Sequence, residues 1–186
     1  MSKNVKIKNE MEENAYKIKA KIKGVSPLLM NKPCLETDNR KKQVYVPKEE
    51  VQKAIYQNNN GVFAPPTWIK ASLTKAATRF KLKGSGKKTY KDLIRGEVII
   101  EPFEIPLKEK WVIDERYVNV NRAKILRWRP RWDAWTLEFE MIIADKNDLC
   151  PDDLKRFLTD AGKYIGIGDN RPENGRFVIE SFEPIY

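Results

Sequence analysis

Residues Tyr16 to Lys23 alternate without a break. Tyr16, Ile18, Ala20 and Ile22 fall on one side, and Lys17, Lys19, Lys21 and Lys23 on the other. Strand side chains point to opposite faces with a period of two, so this segment reads as a half-buried strand with a lysine-studded outer face. Gly24 ends it. A second alternation sets Trp135, Leu137, Phe139, Met141 and Ile143 against Thr136, Glu138, Glu140 and Ile142, and predicts another strand.

Between and after these strands the spacing turns helical. Pro47 opens a short helix to about Gln57, with Val51, Ala54 and Ile55 inward. Pro65-Pro66-Thr67 starts a second helix, with Thr67 as N-cap and an apolar stripe of Ile69, Leu73, Ala76 or Ala77, and Phe80. Pro151 begins the last helix. Asp152 and Asp153 suit the positive end of its dipole, Leu154, Phe157, Leu158 and Ala161 form its stripe, and Gly162 closes it. Further strands are expected at Glu97–Ile105, interrupted by Pro102, and at Arg176–Phe182. Tyr117–Trp128 and Trp135–Asp145 read as one long hairpin turning around Pro130–Ala134. The order is βαββαβ, an α+β class with a ferredoxin-like or RRM-like core. The helix near residue 50 and a mobile lysine loop at 81–91 are its insertions. At 186 residues one domain spans 1–186, with 1–14 as a loose N-terminal arm.

Charge narrows the function. The chain carries 36 Lys+Arg against 26 Asp+Glu, a formal net charge of +10. Two windows hold the excess. Pro65–Lys91 contains Lys70, Lys75, Arg79, Lys81, Lys83, Lys87, Lys88 and Lys91 and no acid. Tyr117–Trp132 contains Arg122, Lys124, Arg127, Arg129 and Arg131, again with no acid. Such localised basicity points to a polyanion, single-stranded RNA or DNA. In the second window arginines interleave with Trp128 and Trp132. Guanidinium forks hold phosphates and indole faces stack on unpaired bases. Gly166-Ile-Gly-Asp-Asn-Arg-Pro-Glu-Asn-Gly-Arg176 offers a third surface. Gly166, Gly168 and Gly175 let the backbone approach a phosphate, with Arg171 and Arg176 beside it. Gly84-Ser-Gly-Lys-Lys-Thr89 fails as a P-loop, because lysine stands at 81 and at 88 where the pattern needs glycine and Ser or Thr.

Catalytic options are thin. There is no histidine, which removes His-based acid–base chemistry, Ser-His-Asp triads and His-ligated metals. Cys34 and Cys150 are too few for a zinc site, so neither metal nor cofactor is expected. Asp38, with Glu36 nearby, is the candidate for assisting phosphodiester cleavage, through a metal or by orienting a 2′-hydroxyl. Asp114 and Glu115 read as an exposed acidic pair without a partner. No apolar stretch spans a bilayer and no export signal follows the N-terminus, which predicts a cytoplasmic protein with no membrane contact.

Three segments carry a family resemblance: Ile18–Met30, Ala64–Ala77, and Gly166-Ile-Gly followed by Gly175-Arg176-Phe177. Over about half of the chain they resemble the RAMP superfamily of CRISPR-associated proteins, in particular Cas7-like backbone subunits. The chain departs from the pattern in its short length, in lacking a glycine before the second helix, and in the inserted Asp169–Asn174 stretch. The resemblance implies an RRM-like core binding single-stranded RNA on a basic face, alone on a phage or mobile element or within a larger ribonucleoprotein, with copies along the strand. It also implies that Asp38 maps to a cleaving aspartate found in some relatives. The expected protein is therefore a non-catalytic RNA binder. One alternative is a metal-dependent endoribonuclease using Asp38. Another is a phage-encoded structural or inhibitory protein that docks a host complex.

Overall fold

The computed structural model describes residues 14–33, 47–120 and 123–185. Residues 1–13 of the N-terminal arm, Cys34, Glu36, Asp38 and Arg122 lie outside the described residues. The main sheet has four strands, all antiparallel. β1 (Tyr16–Gly24) pairs on one side with the last strand, Phe177–Ile185, and on the other with Thr136–Ile143, which in turn pairs with Val98–Glu101. The alternation of β1 is realised in full: Tyr16, Ile18, Ala20 and Ile22 are buried.

The remaining elements follow in chain order. β2 is Leu28–Leu29, α1 is Pro47–Lys53, β3 is Gln57–Asn58, β4 is Gly61–Ala64 and α2 is Pro66–Ala77. α3 is Lys91–Glu97, β5 is Val98–Glu101, β6 is Ile105–Pro106, β7 is Val112–Val120, β8 is Ala123–Trp132 and β9 is Thr136–Ile143. α4 is Pro151–Asp160, continued by a π turn at Ala161–Ile165, and β10 is Phe177–Ile185. The main sheet thus runs β10-β1-β9-β5, and two three-stranded sheets, β2-β8-β7 and β3-β4-β6, lie outside it. The fold is mixed α and β with antiparallel sheets.

α2 and α4 supply the core that covers one face of the main sheet. Ile69, Leu73, Ala76 and Ala77 of α2 and Leu154, Phe157 and Leu158 of α4 are buried with the inward residues of β1 and β9. Each large apolar side chain sealed this way stabilises the fold by roughly 1.5–3 kcal/mol. Val51, Ala54 and Ile55 point inward as their spacing predicts. Among the described residues, no helix is long and apolar enough to cross a membrane.

Several boundaries differ from expectation. α2 begins two residues earlier: Pro65, not Thr67, is its N-cap, and Pro66 is its first residue. A proline supplies the fixed φ and needs no N–H there. Gly162 does not stop α4. A Cβ there would lie 2.2 Å from the Phe177 carbonyl oxygen, so this glycine lets the helix lie against β10. The stop is Gly166, at φ 75°.

The expected hairpin is also different. β8 pairs with β7 from Val112↔Arg131 to Val120↔Ala123, so the chain turns inside the segment expected as one strand, and β9 joins the main sheet instead. The segment 91–97, which carries no long apolar stripe, forms α3. The lysine loop is closed. Lys81 and Thr89 bridge, the Leu82 N–H donates to the Lys88 carbonyl, and the Tyr90 N–H donates to the Phe80 carbonyl.

Candidate nucleic-acid interface

Most lysines of the first acid-free window are exposed, at the end of α2 and around the loop that follows it. Lys75 leaves the outer side of α2, and Lys81, Lys83, Lys87 and Lys88 stand exposed around the closed loop. None of these five makes an ion pair among the described residues. The loop is held from below by rings: Phe80 and Tyr90, at its two ends, pack on Phe157 of α4 at centroid distances of 4.8 and 5.0 Å. Arg79 extends the edge toward the π turn. Its guanidinium lies 4.2 Å from the Tyr164 ring centre and 3.4 Å from the Asp160 carboxylate. Tyr164 is 44% exposed and sits between Arg79 and Lys163. Sequence reasoning missed it, because a lone tyrosine past a helix carries no pattern.

Lys70 belongs to the same window but not to the same surface. Its ammonium is partly buried and donates to the Val98 carbonyl of β5, and burial lowers its pKa. It ties α2 to the sheet.

Three arginines of the second window are neutralised in three dimensions. Arg127 pairs with Glu50 of α1 at 3.0 Å, and Arg129 pairs with Asp169 of the glycine loop at 2.6 Å. Arg131 pairs with Asp114 at 3.1 Å and with Asp133 at 2.8 Å, and the hydrogen bonds it donates to Asp133 and Asp114 raise its pKa. Asp114 is therefore not an exposed acid without a partner. It is 3% exposed and also bonds Arg116 at 2.7 Å. Lys124 remains exposed.

Trp132 is fully buried and donates its indole N–H to the Glu109 carbonyl, so it is a core residue and cannot stack on a base. Trp128 is half-buried and donates to Glu115 at 2.8 Å.

The glycine loop spends its donors on itself and its neighbours. The N–H groups of Gly166, Ile167, Asp169 and Gly175 donate to the carbonyls of Ala161, Gly175, Leu29 and Pro27. Gly168 and Gly175 both have positive φ, and a Cβ would meet the Leu29 and Ile167 carbonyl oxygens at 2.5 and 1.8 Å. These contacts account for the glycines by close backbone packing. Arg171 and Arg176 stay exposed at the rim.

The open face of the main sheet is not a basic surface either. Lys17 faces Glu140 at 3.7 Å, and Lys21 faces Glu138 and Glu180 at 3.6 and 2.9 Å.

No family model matches this chain, and no curated protein was found similar to it. Among solved structures, a similar chain occurs in the cryo-EM structure of the Type III-B Cmr-beta bound to cognate target RNA. The TM-score is 0.61 at 11% identity, over 98% of this chain and 64% of that one. The likeness is one of fold, and this chain spans under two thirds of that neighbour's length.

Proposed function

We propose that this protein binds single-stranded nucleic acid, RNA in preference to DNA, without cleaving it. The observation that carries the reading is the lysine edge: Lys75, Lys81, Lys83, Lys87 and Lys88 are exposed on one helix end and one closed loop, with no acidic partner among the described residues. Clustered cations of this kind neutralise a phosphate backbone and release its counterions. Arg79 and Tyr164 add a guanidinium and a ring beside it, a pairing suited to an unstacked base. Lys124 and Arg171 are further exposed cations on the RNA path. Gly166, Gly168 and Gly175 act by shaping the loop that carries Arg171.

The strand order β10-β1-β9-β5, with every neighbour antiparallel, supports reading the main sheet and its two helices as a ferredoxin-like core. The fold likeness to a chain of an RNA-bound complex supports RNA over DNA. We extend the reading to a Cas7-like place in a cytoplasmic ribonucleoprotein, with further copies along the strand. The absence of histidine favours binding over cleavage.

The test is a salt-titrated comparison of single-stranded RNA, single-stranded DNA and duplex. The expected result is tightest binding to single-stranded RNA, with affinity falling linearly in log salt. No binding, or a preference for duplex, would refute the reading.

A further inference from the structure

A groove of about 620 Å³ runs between α4 with its π turn and β10. Its size falls in the range of about 300–1,000 Å³ that holds a small ligand. Lys155, Lys163 and Arg176 line it, and the side chains of Ile179 and Phe182 form an apolar wall on the helix side of β10. The carboxylate that lines it, Glu180, is already held by Lys21 at 2.9 Å. The Lys155 ammonium lies 5.9 Å from the Phe182 ring centre, so cation and ring are presented together. Tyr164 joins this groove to the lysine edge: Arg79 lies over its ring from just past the end of α2, and Lys163, a groove residue, is 5.1 Å from the ring centre.

We propose that this groove takes the continuation of the same single strand. Phosphates rest on Lys155, Lys163 and Arg176, and a base lies against Phe182 and Ile179. The charge pattern selects the occupant. Three cations face the groove against one compensated acid, which suits a polyanion, and the apolar wall beside them suits the unpaired base that a duplex does not offer. The inference rests on the RNA-binding reading and extends it from one edge to a path around the end of α4.

The experiment uses fluorescein-labelled oligouridylates of increasing length, with the full chain and a Lys155→Ala, Lys163→Ala, Arg176→Ala triple variant. For the unsubstituted chain, affinity rises with length until edge and groove are both covered. The triple variant is expected to bind the shortest oligonucleotides equally and the longer ones about tenfold more weakly. Its salt slope should fall by about 2, since each single-strand phosphate contact contributes about 0.7. Equal affinity and slope at every length overturn the groove and leave the lysine edge standing. Failure of the unsubstituted chain to bind any oligouridylate overturns the RNA reading itself. If the triple variant melts early, Lys163→Glu alone, at an exposed side chain, supplies the same comparison. An oligoglutamate peptide forms the last arm. If it binds the unsubstituted chain and loses affinity in the triple variant, while RNA binding is untouched, the groove belongs to an acidic protein segment and the proposal is overturned.

Discussion

The two acid-free windows look alike as sequence and behave as opposites in the fold. In Pro65–Lys91 the cations of the α2 end and the closed loop project outward, and Lys75, Lys81, Lys83, Lys87 and Lys88 meet no carboxylate among the described residues. In Tyr117–Trp132 the strand brings Arg127, Arg129 and Arg131 against Glu50, Asp169, Asp114 and Asp133. Local charge composition therefore locates a basic segment, but tertiary partners decide whether its charge reaches solvent. The first window offers free charge to a ligand. The second spends its charge on joining β8 to α1, β7 and the glycine loop.

The largest expected effect on stability breaks the second window. Asp114→Ala removes the buried acceptor shared by Arg116 and Arg131 and should lower unfolding free energy by about 2 kcal/mol in a urea titration. A loss under about 1 kcal/mol would mean that this network is not structural. Next, Lys81→Glu, Lys83→Glu, Lys87→Glu and Lys88→Glu together should weaken single-stranded RNA binding about a hundredfold or more, with an unchanged melting temperature. Retained affinity would move the interface elsewhere. A smaller effect is expected from Arg127→Ala with Arg129→Ala. Stability should drop by about 1–2 kcal/mol while the salt slope of binding stays the same. A flattened slope would return the hairpin to the interface. Smallest of all, Lys70→Met should leave RNA affinity within about twofold, because the ammonium it removes is bonded to the Val98 carbonyl. A larger loss would place Lys70 on the RNA path.

How much of this was legible follows from the range of each interaction. β1 and the stripe of α4 declare themselves because burial repeats at a fixed local period, and the structure buries the expected residues. The turn between β7 and β8 escaped because Tyr117, Val118, Val120, Ile125 and Leu126 keep no clean alternation, while Pro130 suggested a break where β8 in fact continues to Trp132. The neutralised arginines were invisible for a different reason. Their carboxylates arrive from distant segments, as when Glu50 reaches Arg127 across 77 residues. The free lysines of the first window were legible as a charge run. That their loop closes on itself, and that Tyr164 stands beside Arg79, depends on α2 packing against α4, which no local pattern encodes.

The bridge between Lys81 and Thr89 bears on kinetics. A loop that is already closed meets its ligand without first losing chain entropy, so its lysines act as a preset field rather than as groups recruited one at a time. Association should then be fast at low ionic strength and slow steeply as salt rises, with electrostatic steering carried in the on-rate. Opening the bridge would leave the net charge untouched and yet blunt that dependence, because the same charges would be spread over many loop shapes.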